Sequence, residues 1–143
     1  MLAGLAACGS PADEPAEQIV VSEPGGGAAK PEDAKGNAPT ASLAVAGKAA
    51  FAACVACHQV TAGGPSGIGP NLNGVVGRAA GSLAGYAYSS AMKASGITWT
   101  EAELDQYLTN PAKKVPGTSM AVAGISDAEK RAAIIAYLAS RPK

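Results

Sequence analysis

The sequence predicts an all-α domain in which a few helices are joined by long loops. Three observations predict it. Two capping-box patterns, Thr100-Glu101-Ala102-Glu103 and Ser126-Asp127-Ala128-Glu129, mark helix starts. From Gln59 to Gly85, glycine and proline are so frequent that the stretch reads as irregular loop. A loop of that length is unusual in a compact domain unless it packs against something. Cys54-Val55-Ala56-Cys57-His58 names the something: two thiols three positions apart, followed at once by the only histidine of the chain. That spacing is the attachment signature of a c-type haem. Each cysteine can bond one vinyl-derived carbon of a porphyrin, and the adjacent imidazole is then held beneath the iron.

Two other readings of the same five residues are weaker. A redox dithiol sits in a strand-helix alternation, and no convincing strand pattern surrounds these cysteines. A structural zinc site needs four Cys or His ligands, and the chain offers only Cys8, Cys54, Cys57 and His58, with Cys8 far away in a tail.

Taken in order, the elements begin with a helix over residues 44–56, where Val45, Ala49, Phe51, Ala52 and Val55 are apolar and Gly47 shares a face with Phe51. After the long loop, Tyr88 to Ala94 reads as a short helix. Thr100 opens another, which must end near Asn110, before Pro111. The second capping box opens a last helix through Ile134, Tyr137 and Leu138, stopped at Arg141-Pro142. The only aromatics are Phe51, Trp99 and four tyrosines, and much of the apolar content is alanine. A buried porphyrin would supply the bulk that such a core lacks.

The formal net charge of zero conceals two unlike parts. Residues 9–42 are Ala, Pro, Glu, Gly and Lys with a net charge of −4, whereas residues 43–143 carry +4. The first stretch holds too little apolar surface to offset the ordering of its backbone, and is predicted to be a disordered acidic linker. Residues 1–8 precede it. Leu5-Ala6-Ala7-Cys8-Gly9 resembles the lipobox of bacterial lipoproteins, which implies cleavage before Cys8 and its acylation, although the segment has no basic region and only seven residues before the cysteine. No apolar run is long enough to span a bilayer. The expected organisation is therefore a truncated signal segment at 1–8, a linker at 9–42 and one domain at 43–143.

An iron anchored by His58 has one face left. With no second histidine, a methionine sulfur, a lysine amine or an open site remain. Met92 lies in a helical setting behind Tyr86 and Tyr88, where core packing explains it. Met120 follows Pro116-Gly117-Thr118-Ser119 in an irregular loop, where packing explains it less well, and is the preferred ligand. A thioether raises the potential relative to a second nitrogen donor.

From about Gly47 to Leu138 the chain resembles a class I cytochrome c of the mitochondrial and bacterial c2-like branch. The resemblance rests on Gly47-Lys48-Ala49-Ala50-Phe51 before Cys54, Gly69-Pro70-Asn71-Leu72-Asn73-Gly74, Gly77-Arg78 and Gly96-Ile97-Thr98-Trp99. It continues in Tyr107-Leu108-Thr109-Asn110-Pro111 and Val115-Pro116-Gly117-Thr118-Ser119-Met120, in family order. It implies a class I cytochrome c fold around one covalent haem c, with Cys54 and Cys57 as attachment points and His58 and Met120 as axial ligands. It further implies that the Pro70 carbonyl meets His58 Nδ1–H, that Arg78, Tyr88, Trp99 and Thr118 meet the propionates, and that Tyr107 lies near the Met120 sulfur. Gly47 would allow the terminal helices to cross closely, with Phe51 and Tyr137 at the crossing. Two positions depart from the family pattern: Met92 stands where asparagine is frequent, and Ser119 where lysine is.

The function so implied is one-electron transfer by a monomeric, non-enzymatic periplasmic carrier, from a bc1-type complex to a terminal oxidase, held at a membrane through Cys8. Lys48, Lys93, Lys113 and Lys114 are candidates to ring the haem edge as docking charges, and only Lys113 and Lys114, close to the Met120 loop, are preferred in that role over plain solvated charge. The alternative partner is a dedicated dehydrogenase, reductase or photosynthetic centre. A peroxidase or a sensor of nitric oxide or carbon monoxide would instead require an open or labile sixth position.

Overall fold

The computed structural model describes residues 38–141, with side chains from Thr40 onward. Cys8, the signal segment and most of the predicted linker lie outside the described residues. Five α-helices follow: α1 (Ala38–Ala50), α2 (Ser90–Ala94), α3 (Glu101–Thr109), α4 (Pro111–Lys114) and α5 (Ala128–Ala139). The described residues contain no strand, only an isolated antiparallel bridge between Ala79 and Thr98.

Two features of α1 differ from the sequence expectation. The helix begins at Ala38, inside the stretch assigned to the linker, and it ends at Ala50 rather than continuing to Ala56. A 3-10 turn over Phe51–Ala53 follows, tightened by a 2.7 Å bond from Cys54 N to Phe51 O. The buried face of α1 is not built from its large aliphatics, since Val45 is 75% exposed. It is built around Gly47, where a Cβ would strike the Ala133 carbonyl and come within 2.7 Å of Tyr137 Cβ on α5. Removing the side chain lets two helix backbones cross at contact, and α1 with α5 forms the largest helix–helix contact among the described residues. Phe51 and Tyr137 meet at the crossing as a tilted pair with ring centroids 5.4 Å apart. Phe51, Leu104, Ile134, Ile135 and Leu138 bury their side chains in this core, each stabilising the fold by about 1.5–3 kcal/mol.

The helix starts follow local chemistry. The Thr100 side chain accepts from Glu103 N and caps α3. In the second capping box the cap is Asp127, one residue later than Ser126: its Oδ1 accepts from the backbone N of Glu129 and of Lys130. A carboxylate at that position also complements the helix dipole, which a serine does not. Pro111 ends α3, as predicted, but immediately starts α4, with Asn110 Oδ1 accepting from Lys113 N. Proline at the first position of a helix loses no bond that the helix needs.

The long loop from Gln59 to Gly85 is irregular throughout and packs on the rest of the domain. Gly81 has φ of 71°, and a Cβ there would lie 2.9 Å from Lys93 Cα on α2. Close by, Gly77 N donates to Trp99 O (2.8 Å), Trp99 N to Arg78 O (2.9 Å) and Ala80 N to Ile97 O (2.8 Å). Those three bonds hold the Arg78 and Trp99 segments side by side.

Candidate haem site

The turn that carries the cysteines is defined by its backbone. Cys57 N and His58 N both donate to Cys54 O, at 3.1 and 2.9 Å. This brings both thiols and the imidazole to one side of the turn, half-buried, with the cysteines not bonded to each other. Burial pushes the Cys54 thiol up, Lys130 opposes that, and Cys57 adds to it. His58 Nδ1 lies 2.8 Å from the Pro70 carbonyl. A carbonyl only accepts, so Nδ1 carries the proton and the Nε2 lone pair is left to bind. Gly69 is buried against the same ring, where a Cβ would strike Cε1 and come within 2.6 Å of Nδ1.

Asn71 organises this side of the site. It is 5% exposed. Its Nδ2 donates to the carbonyls of Thr61 and Gly64, each at 2.9 Å, and its Oδ1 accepts from Asn73 N at 2.8 Å. Arg78 then donates from Nη2 to Asn71 O (2.9 Å) and from Nη1 to Asn73 O (3.1 Å). Burial pulls the Arg78 pKa down, offset by Tyr88; burial pushes Tyr88 up, offset chiefly by Arg78.

On the Met120 side, Tyr107 and Thr118 share a hydroxyl–hydroxyl bond of 2.7 Å, and Met120 N donates to Thr118 Oγ1 at 3.3 Å. The Thr118 hydroxyl, expected at a propionate, thus bonds first to its own chain. Tyr107 is buried, with its ring centroid 4.9 Å from that of Trp99. Burial raises its pKa and the Thr118 bond offsets part of that rise. Buried Arg131 fastens the far end of the Met120 loop. Its Nε donates to Asp105 (2.7 Å) and its Nη1 to the carbonyls of Ile125 and Ser126 (2.8 and 2.9 Å).

All ten residues singled out from the sequence line a single cleft: Cys54, Cys57, His58, Pro70, Arg78, Tyr88, Trp99, Tyr107, Thr118 and Met120. Its volume is about 350 Å³ and its lining is mainly apolar, within the range of cofactor pockets. Met92, buried at 8% exposure, lines it as well. Lys48, Lys93, Lys113 and Lys114 do not. Lys114 is instead occupied by Glu103 at 2.6 Å and by Gln106 at 2.7 Å. Sequence reasoning assigned no role to Asn71 by itself and none to Arg131; both act on backbone carbonyls of loops, which leave no periodic signal. Among the described residues, no group of three or more His, Cys, Asp or Glu comes together as a metal site. A flat apolar ring fits the site: paired free thiols at the edge, an imidazole with Nε2 available, and a glycine clearing the space against that imidazole.

Residues 44–142 match the family described as Cytochrome c. The chain belongs to the cytochrome c family. It is 49% identical over 98 residues to cytochrome c-550 of Nitrobacter winogradskyi, covering 68% of this chain and 90% of that protein. It is 50% identical over 93 residues to cytochrome c2 of Rhodoblastus acidophilus, covering 65% and 87% respectively. Among solved structures, cytochrome cH from Methylobacterium extorquens superimposes with a TM-score of 0.65 at 52% identity, covering 68% of this chain and 98% of that one. This cytochrome c is a c2-like class I member that binds covalent haem c with its iron. It is an electron carrier rather than an enzyme, as are the cytochromes it resembles. Among the described residues no helix is long and apolar enough to cross a membrane.

Proposed function

We propose that Cys54 and Cys57 would hold haem c covalently, that His58 and Met120 would be the ligands of its iron, and that the protein so loaded would carry one electron from a bc1-type complex to a terminal oxidase in a bacterial respiratory chain. The supporting observation is that His58, its Nε2 left available by the Pro70 bond, and Met120 line the same cleft as both cysteines. When bound, the group supplies reversible one-electron chemistry at iron. The protein's own residues would hold and orient the ligands. Pro70 fixes the imidazole tautomer. Arg78, Tyr88 and Trp99 provide polar hydrogens for the propionates. Thr118, through Tyr107 and Met120 N, orients the methionine loop.

The deciding measurement is the ferric absorption spectrum of the holoprotein. The wild type is expected to be low-spin at neutral pH with a sulfur-to-iron charge-transfer band. Met120→Ala is expected to lose the band and to lower the potential, while Met92→Ala keeps the band. A high-spin wild type would favour the peroxidase or gas-sensor alternative, and a band surviving in Met120→Ala would transfer the ligand role to Met92.

The same reading places the domain in the periplasm as a monomer, with acylated Cys8 holding it at the membrane that contains both partners. The support is the lipobox-like Leu5-Ala6-Ala7-Cys8-Gly9 and the acidic stretch behind it. Native protein should fractionate with membranes and Cys8→Ser with the soluble fraction; equal solubility of the two would remove the anchor.

A further inference from the structure

Lys114 ends α4, and the chain that leaves it leads to Met120. Its ammonium lies 2.6 Å from Glu103 Oε2 and donates to Gln106 Oε1 at 2.7 Å, both on α3. The two charged side chains are 23% and 32% exposed. Glu103 Oε2 itself is buried and, among the described residues, faces no donor besides this ammonium. A fully exposed ion pair contributes little. A carboxylate oxygen kept from water and facing a single cation loses far more when that cation is removed.

The same helix holds this chain at a second point. Tyr107 lies one turn after Glu103 on the same face of α3, and its hydroxyl bonds to Thr118 Oγ1 at 2.7 Å. Residues 103 and 107 therefore meet residues 114 and 118, a four-residue step on the helix matched by a four-residue step beside it. Little slack is left between the two ties. Val115 is buried at 3% exposure, Thr118 N donates to Val115 O at 3.0 Å, and a Cβ on Gly117 would lie 3.1 Å from Ala91 Cβ on α2. Thr118 Oγ1 in turn accepts from Met120 N at 3.3 Å. Neither Lys114 nor Glu103 lines the haem cleft; both border a separate hollow of about 660 Å³ with Ser95, Thr98 and Val115. Any effect of Lys114 on the iron must therefore travel through the chain.

We propose that Lys114 is a positioning residue for the sulfur ligand of the iron: with Glu103 and Gln106 it fixes to α3 the start of the segment that carries Met120. The proposal rests on the Met120 ligation put forward above and adds what keeps that ligand in reach. The Tyr107–Thr118 bond alone would leave the segment hinged at one point. A second tie one helical turn away sets its direction as well. With the ammonium gone, α4 is free to shift along α3, and the population in which Met120 has moved off the iron rises. A lysine whose charge suggests an outward, docking role is thus turned onto its own fold.

The test is the affinity of the ferric holoprotein for imidazole, which reaches the iron only where Met120 has left it, read by loss of the sulfur-to-iron charge-transfer band. Lys114→Met keeps the methylene stem without the charge and should bind imidazole about tenfold more tightly than the wild type. Lys114→Arg should return the affinity to within about threefold of wild type. Glu103→Gln should match Lys114→Met, and the double variant should exceed neither by more than about twofold, since all three remove one interaction. Glu101→Gln, which takes an exposed carboxylate from the same turn of α3, should leave the affinity unchanged. In denaturant, Lys114→Met should lose the band well before the helical signal. An affinity in Lys114→Met within about twofold of wild type, or a rise that Lys114→Arg does not reverse, would overturn the proposal. Band and helical signal falling together in Lys114→Met would also overturn it, because the pair would then serve general stability alone. A wild type without the band at neutral pH would overturn Met120 ligation and this proposal with it. A wild type with the band that is insensitive to Lys114→Met would overturn this proposal alone.

Discussion

The segment that carries His58 and the segment that carries Met120 are both irregular chain, yet they are held in different ways. Around His58 the loop is tied to itself repeatedly, by Gly69 N to Cys57 O at 2.8 Å, Leu72 N to Gln59 O at 2.7 Å, and the three bonds of the buried Asn71 amide. Around Met120 the ties lie only at the ends. Thr118 holds one end, while Arg131 and the 2.8 Å bond from Ile125 N to Leu108 O hold the other. Residues 121–124 make no hydrogen bond among the described residues. Gly124, with φ of 103°, makes room for the Thr109 carbonyl. The side whose imidazole must be fixed in orientation is over-determined, and the side with a flexible thioether is suspended between two anchors. Local opening, when it occurs, should therefore begin at Met120.

Three measurements would break or sharpen that contrast. The largest effect is expected from Asn71→Ala. Losing three buried bonds should lower the stability of the holoprotein by about 2–4 kcal/mol, read by denaturant unfolding, with the imidazole side loosened. A loss below about 1 kcal/mol would show that the His58 loop is fixed by other means. Thr118→Val should cost less overall, about 1–2 kcal/mol, but concentrate its effect on one side. The charge-transfer band should then be lost at lower pH or lower denaturant than in the wild type, ahead of global unfolding. Coincident loss of band and fold would mean that the two sides open together.

The smallest effect is the pH dependence of Tyr107. Burial raises its pKa above the ordinary 10.0. Below pH 10 the phenol is neutral in both the folded and the unfolded chain, and its contribution is fully present. Above pH 10 the unfolded chain loses the proton first, so stability falls as pH rises toward the folded pKa. Tyr107→Phe should flatten the alkaline limb of a stability-against-pH curve; an unaltered limb would assign it to other groups, of which Tyr88, also raised by burial, is the first to test.

What could be read in the sequence was what repeats a local rule. Thr100 and its helix, the stop before Pro111 and the turn-rich loop follow from side chains acting on their own neighbourhood. The Cys54-Cys57-His58 spacing follows from the reach of one porphyrin edge. Two local signals were present but misread. Asn110-Pro111 is a helix start as well as a stop, and Asp127 outcompetes Ser126 as the cap. The unreadable part was long-range. Asn71 and Arg131 matter because of carbonyls brought to them by loops of no fixed period. The Ile68 carbonyl is met by a tyrosine hydroxyl 18 residues away. The lysines were legible as charge but not as position, and Lys114 had a closer partner in Glu103.

The crossing of α1 and α5 at Gly47 has a bearing on the order in which the molecule is made. Among the described residues these are the first and last helices, so their contact closes a loop that contains every other described element, and the entropy of that closure precedes any gain from it. The cysteines emerge directly behind α1, and α5 comes last. The thiols are therefore free of the closed core until α5 has been made, and the missing Cβ of Gly47 is what lets that helix seal it.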